Sequence, residues 1–215
     1  MIIWIASYPK SGNTWVRLLM CALFFTNDGD LKGLDLLKLL NKIPNFDQLV
    51  FFKFIKNFSI KDYEKIFNAE NYGDEVIKTY SKYWIQAQKE LSIKGDFGIF
   101  KTHNARIKID NNFYTDQSTT RGFIYIVRDP RDVVISRSAY QKTDIDNTID
   151  ILTKAQVTSR EKTSDRMPEI TLNWGDHYQS WKNFSQVPNL FIKYEDLVSD
   201  TEKEVKKILE FFYSN

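Results

Sequence analysis

The sequence predicts an α/β layered domain with a central, mostly parallel sheet flanked by helices. Two observations predict it. Four short apolar runs alternate with segments of helical spacing, and such alternation implies layers around a parallel sheet. The first and third runs are continuously apolar, as in strands covered on both faces.

The runs are Ile2–Ala6, Phe97–Phe100, Phe123–Val127 and Leu190–Ile192. After the first, Trp15, Leu18, Leu19, Ala22 and Leu23 share one helical face. Pro130 suits the first turn of a helix reaching about Tyr140, with Asp129 as its cap. Trp174 to Trp181 continues a helical pattern. In the last helix Ser199 and Glu202 form a capping box, and Val205, Ile208, Leu209 and Phe212 form its stripe. The stretch from about Leu31 to Leu91 reads as helical and aromatic-rich, without clear ends. Within it, Phe46 to Phe58 reads as core, with an apolar pocket or lid as the other possibility.

The 215 residues suit one large domain, 1–215, with no linker or repeat. A formal net charge of +2 argues for neither nucleic acid nor an anionic membrane as partner. No stretch approaches the roughly 20 apolar residues of a membrane span, and no signal peptide is visible. The single cysteine, Cys21, reads as a small core residue and excludes an intrachain disulfide. Together these suit a cytoplasmic protein.

The first strand runs into Ser7-Tyr8-Pro9-Lys10-Ser11-Gly12-Asn13-Thr14-Trp15 and then a helix. A small-residue loop opening a helix is an anion site, because free N–H groups and the helix dipole face the ligand. Gly12 permits close backbone approach. Ser11, Asn13 and Thr14 add side-chain donors, and Lys10 adds a full charge. This is not the nucleotide-kinase loop, in which lysine follows the last glycine beside a Mg²⁺-binding hydroxyl.

Tyr8 to Trp15, YPKSGNTW, resembles the 5′-phosphosulfate loop of sulfotransferases that use 3′-phosphoadenosine 5′-phosphosulfate (PAPS), bacterial members especially. The resemblance implies a P-loop-like three-layer fold. Tyr125 to Ser136 resembles that family's 3′-phosphate motif, a strand ending in arginine followed by a helix carrying serine. Arg128 offers a forked donor, and Ser136 adds a hydroxyl two turns into the helix.

Phe100-Lys101-Thr102-His103 is similar to the family's KTH segment, whose histidine is the catalytic base. A histidine titrates near neutrality and suits that role. Thr102 reads as shaping the turn. The other histidine, His177, lies in a helical segment and reads as structural. Tyr194-Glu195-Asp196 resembles the family's YED segment, with Tyr194 near the adenine. Trp15 resembles the tryptophan that stacks on adenine, with core as the lesser reading because it also begins the apolar stripe.

What the resemblance implies is sulfuryl transfer from PAPS, leaving 3′,5′-diphosphoadenosine (PAP), to a hydroxyl or amine of a small-molecule or saccharide acceptor. His103, Lys10 and Lys101 would act in catalysis, without a metal. An ATP-dependent small-molecule kinase and an inactive nucleotide-binding module are the rival readings. Family members usually continue past the YED helix into a region that carries a further 3′-phosphate segment and also the dimer-forming segment. This sequence ends at Asn215 without it, which reads as truncation or as fewer phosphate contacts, and leaves the oligomeric state open. Lys10, His103, Arg128 and Tyr194 each follow a predicted strand, so a parallel sheet would gather them at one edge.

Overall fold

A computed structural model describes residues 1–69, 73–92, 98–154, 157–158 and 167–214. In chain order, β1 (Ile2–Ser7) leads to α1 (Asn13–Phe25), then α2 (Leu36–Leu40). A π-helical turn (Phe46–Phe51) runs into α3 (Phe52–Phe58), followed by α4 (Ile60–Phe67), α5 (Asp74–Ser81) and α6 (Trp84–Ser92). Next come β2 (Gly98–Thr102), the short pair β3 (Lys108–Ile109) and β4 (Asn112–Phe113), and β5 (Thr120–Val127). Helices α7 (Pro130–Gln141) and α8 (Ile145–Thr153) precede the short pair β6 (Val157–Thr158) and β7 (Glu169–Ile170). The chain continues through α9 (Trp174–Lys182), β8 (Asn189–Lys193), α10 (Tyr194–Ser199) and α11 (Thr201–Ser214).

The main sheet has the order β2-β1-β5-β8, and all three pairings are parallel. Strand β1 is buried along its whole length. Its alternate residues serve two cores. Ile2, Trp4 and Ala6 face Phe46, Phe51, Ile55, Trp84 and Trp181. Ile3 and Ile5 face Val16, Met20, Leu197 and Ile208. Helices therefore cover both faces, which is why β1 and β5 read as unbroken apolar runs. The α/β class with a parallel sheet flanked by helices holds.

Three details differ from the sequence reading. The second strand is Gly98–Thr102, displaced toward His103, and Phe97 lies outside the described residues. Helix α1 buries Asn13, Val16, Met20 and Cys21, whereas Trp15 and Leu23 are exposed. Apolar residues surround α1 on several sides, so the stripe alone could not fix its inward face. The capping box at Ser199 is not formed. Ser199 ends α10, and the carboxylate of Asp200 accepts from the backbone N–H of Lys203 at 3.1 Å to start α11.

The aromatic stretch is core. Phe46 and Phe51 are fully buried, and Phe46 packs edge-on to Trp4 at 5.2 Å. Only Phe58, at its far end, is well exposed. Cys21 is buried, its Sγ 3.2 Å from the carbonyl oxygen of Leu39. Among the described residues, no helix is long and apolar enough to cross a membrane.

Candidate active site

The strand order places the site. After β1 the chain forms β2 on one side and β5 on the other, so the sheet reverses direction of growth at β1. In open parallel sheets, the crevice at the carboxyl ends of strands at such a switch point is where ligands bind. The segment Tyr8–Gly12 emerges there.

Local geometry then opens the loop. Lys10 and Gly12 both have positive φ, 71° and 98°. Gly12 is the N-cap of α1 and no side chain caps the helix, so its first N–H groups have no side-chain acceptor. A side chain at Gly12 would collide with Cδ2 and Cε2 of Tyr194, the latter at 2.8 Å. Tyr194 thus lies against the bare backbone of the loop.

Asn13 fastens the loop from beneath. Its Nδ2 donates to the carbonyl oxygen of Ile5 at 3.0 Å and to Ser7 Oγ at 3.3 Å. Its side chain is turned inward, and what it presents outward is backbone. Ser11 is buried with no partner for its hydroxyl. Thr14 and Trp15 are exposed at the start of α1. Exposure of Trp15 removes the core reading of that residue.

The second motif meets the first directly. Register pairs Val127 with Lys193, so Arg128 and Tyr194 leave neighbouring strands at one level. Arg128 Nη1 donates to the carbonyl oxygen of Lys10 at 3.2 Å, and its guanidinium carbon lies 4.4 Å from the Tyr194 ring centroid. Asp129 caps α7 by accepting from the N–H of Arg131, with Pro130 in the first turn. Ser136 and Tyr140 are four residues apart on α7 and share a face. Lys10 Nζ rests 4.0 Å from the Tyr140 ring centroid, so that face is turned to the loop.

His103 follows β2. Its Nδ1 is 2.7 Å from the carbonyl oxygen of Ser7 and 3.3 Å from Ser7 Oγ. A carbonyl oxygen only accepts, so Nδ1 carries the proton and Nε2 holds the free lone pair. Burial, and then the neighbouring Lys101 ammonium, lower the His103 pKa to about 3. His103 therefore stands as a neutral imidazole with the lone pair of Nε2 unshared.

Behind it, the second histidine is structural. Tyr125 Oη donates to His177 Nδ1 at 2.7 Å, and His177 Nε2 donates to the carbonyl oxygen of His103 at 3.1 Å. Thr102 shapes the turn, its Oγ1 accepting from the N–H of Asn104 at 3.0 Å.

Lys101 is buried and pairs with Glu169, Nζ to Oε1 being 3.4 Å. Burial lowers the Lys101 pKa against the pull of Glu169. Burial also opposes ionisation of Glu169, but Lys101, His103 and a bond from Asn45 Nδ2 at 3.1 Å outweigh it, bringing the carboxyl to about 2. Nearby, burial and then the Glu169 charge raise Asp47 to about 6. Asp47 accepts from Thr102 Oγ1 at 3.0 Å and from the hydroxyls of Tyr80 and Tyr114, each at 3.1 Å.

Five residues near the site carried no signal in the sequence reading. Ser7 orients His103, Tyr140 touches Lys10, Asp47 and Glu169 lie beneath Lys101, and Arg137 is buried on α7 with an unpartnered Nη1. Arg137 follows Ser136 directly, one residue past the end of the motif read from the sequence. Glu169 meets Lys101 across 68 residues, and no local pattern announces it.

The donor set fits an anionic nucleotide. Eight buried side-chain atoms of the described residues lack a hydrogen-bond partner. Tyr8 Oη and Ser11 Oγ of the first motif and Arg128 Nε of the second are among them, with Arg137 Nη1 one residue past Ser136, and all four can donate to an anion. Buried polar atoms are rarely left unmade without a ligand to complete them.

The sequence profile of the family described as "Sulfotransferase domain" matches residues 2–214. The chain belongs to the sulfotransferase family. A 3-alpha-hydroxysteroid sulfotransferase of Cavia porcellus is 22% identical over 213 residues, which are 95% of this chain and 56% of that protein. The chain thus spans a little over half the length of that relative. Retinol dehydratase, solved with androsterone and the inactive cofactor PAP, is similar in fold, with a TM-score of 0.52 and 16% identity. It is covered for 59% of its length by 98% of this chain. The sulfotransferase domain of the Synechococcus PCC 7002 olefin synthase matches with a TM-score of 0.50 and 18% identity, over 98% of this chain and 72% of that one. Both likenesses agree with the parallel α/β architecture of the chain.

Proposed function

We propose that this chain transfers a sulfuryl group from PAPS to a hydroxyl or amine of a small-molecule acceptor. The observation that carries the reading is the direct bond between Arg128 and Lys10, which sets two cation-bearing loops side by side at the edge where His103 stands. Ser11, the first N–H groups of α1 and Lys10 suit the 5′-phosphosulfate. Arg128 and Ser136 suit the 3′-phosphate, and Trp15 and Tyr194 offer aromatic surface to the adenine.

Bound PAPS supplies an activated sulfuryl group on a phosphate leaving group. His103 Nε2 takes the acceptor proton, and Ser7 fixes the tautomer that leaves Nε2 free. Positioned general bases contribute roughly 10²–10⁴-fold. Lys10 stabilises charge on the phosphate side, a kind of contribution worth about 3–4 kcal/mol. Lys101, held by Glu169, adds positive field toward the sulfuryl oxygens. None of these roles calls for a metal.

The relatives' names mention hydroxysteroids, and one related structure holds androsterone, so hydroxyl-bearing apolar molecules are the first acceptors to try. Saccharides come next. The lone buried Cys21 thiol suits a cytoplasmic setting. The test is PAP release from PAPS, measured across a panel of phenols, hydroxysteroids, sugars and amines. Acceptor-dependent release with transfer of label supports the proposal. Release of PAP with no acceptor able to raise it, or turnover of ATP instead, overturns it.

A further inference from the structure

A cleft of about 520 Å³ opens where β5 and β8 begin, beside the loops that precede them. The residues assigned above to PAPS follow the other ends of those strands. The volume lies in the range of small-molecule sites, roughly 300–1,000 Å³. Arg106, Phe113, Asp116, Gln117, Phe184 and Gln186 line it, with Ser118 at its side.

Arg106 is the group that gives the cleft its chemistry. Its guanidinium carbon lies 3.8 Å from the Phe184 ring centroid and 5.3 Å from that of Phe113. Its backbone N–H donates to Ser180 Oγ at 3.0 Å. The side chain is thereby held from both ends. Its Nε is buried without a partner, and no ion pair of the described residues includes Arg106. Lys108 Nζ adds a second cation, 5.3 Å from the Phe113 ring centroid.

Asp116 limits what can bind. Its Oδ1 accepts from the N–H and the hydroxyl of Ser118, at 2.8 and 2.6 Å, and its charge still reaches Arg106. A ligand without an apolar body, such as inorganic phosphate, would leave the ring surface beside Arg106 unused while still meeting that carboxylate. A guanidinium held against two aromatic rings offers its fork to a planar, singly charged partner. Phe113 is 36% exposed and offers apolar surface beside the fork.

We propose that this cleft binds a small monocarboxylate with an apolar body, at a site separate from sulfuryl transfer. The carboxylate pairs with Arg106, and the body lies on Phe113.

The test titrates 3-phenylpropionate, 3-phenyl-1-propanol and inorganic phosphate against the full chain by calorimetry. The expected dissociation constant for 3-phenylpropionate is about 1 mM or tighter, with the alcohol and phosphate at least about tenfold weaker, a difference of about 1.4 kcal/mol. Arg106→Gln weakens 3-phenylpropionate at least about tenfold, while Asp116→Asn tightens it by roughly two- to threefold through lost repulsion. No saturation by about 10 mM, equal binding of acid and alcohol, or weaker binding in Asp116→Asn overturns the proposal. PAP titrated into the same samples keeps the two readings apart. Loss of PAP binding alone bears on sulfuryl transfer, and loss of 3-phenylpropionate binding alone bears on the cleft.

Discussion

Arg128 Nη1 donates to the carbonyl oxygen of Lys10 across 3.2 Å, joining two loops 118 residues apart in sequence. That bond makes one site of two motifs. It also fixes the left-handed backbone of Lys10, whose side chain carries the loop's full charge.

Arg128→Ala is expected to weaken PAP binding at least tenfold, because a charge-assisted bond of about 1.5–3 kcal/mol is lost with the loop's brace. Arg128→Lys is expected to recover little of it, since an ammonium lacks the fork that reaches Lys10 while stacking on Tyr194. Calorimetric titration with PAP checks both. Unchanged affinity in Arg128→Ala would count against its place in the site.

His103→Ala is expected to lower the transfer rate by about 10²–10⁴-fold, with PAP affinity within about threefold of the parent, since a base acts on the proton and not on the phosphates. Single-turnover rates and PAP titration separate the two effects. Full turnover in the variant would remove His103 from the mechanism.

Gly12→Ala is expected to destabilise the fold by about 1–3 kcal/mol, because the backbone is left-handed and the new Cβ meets the Tyr194 ring. Adding Tyr194→Ala is expected to recover the steric part and leave the backbone part. Denaturant unfolding of the single and double variants checks this. Equal stability of the Gly12→Ala variant and the parent would contradict the close approach.

Acid is expected to weaken the fold between about pH 6.5 and 4. Burial lowers His177 from 6.5 to about 4, and lowers His103 further. In that window the unfolded chain binds protons that the folded histidines do not, so stability falls as pH falls. Asp47, raised from 3.8 to about 6, acts oppositely, its contribution fading as pH rises through that range. Glu169 loses its contribution as pH falls from 4.5 toward 2, below most of the window. Two histidines oppose one carboxylate, so the histidines set the sign. His177→Gln is expected to reduce proton uptake on unfolding at pH 5 by about one proton, read from calorimetry in buffers of different ionisation enthalpy. No change in uptake would show that His177 is not held neutral.

Much of this was legible in the sequence, for physical reasons. Strands β1 and β5 are buried on both faces, so they read as unbroken apolar runs. Pro130 and Asp129 mark the start of α7 because a ring without an N–H and a side-chain acceptor belong there. The carboxyl-edge placement of Lys10, His103, Arg128 and Tyr194 followed from parallel strands alone.

Other features were hidden because they depend on partners distant in sequence. The ion pair of Lys101 and Glu169, and the cluster of Asp47 with Tyr80 and Tyr114, are made only in three dimensions. Ser199 and Asp200 both suit a helix start, and only the burial of Leu197 in a separate short helix decides between them. Trp15 belongs to an apolar stripe and still faces outward, because Val16 and Met20 supply the inward face.

The direct measurement of the central claim is the melting temperature of the chain with equal, saturating PAP or ADP. A ligand that binds the folded state alone raises stability by RT ln(1 + [L]/Kd). The two ligands carry two phosphates each and differ in where the second one sits, on the 3′ position in PAP, which the proposed function assigns to Arg128 and Ser136, and on the 5′ chain in ADP. A larger rise with PAP, abolished in Arg128→Ala, is the predicted result. Equal rises with the two nucleotides would contradict it.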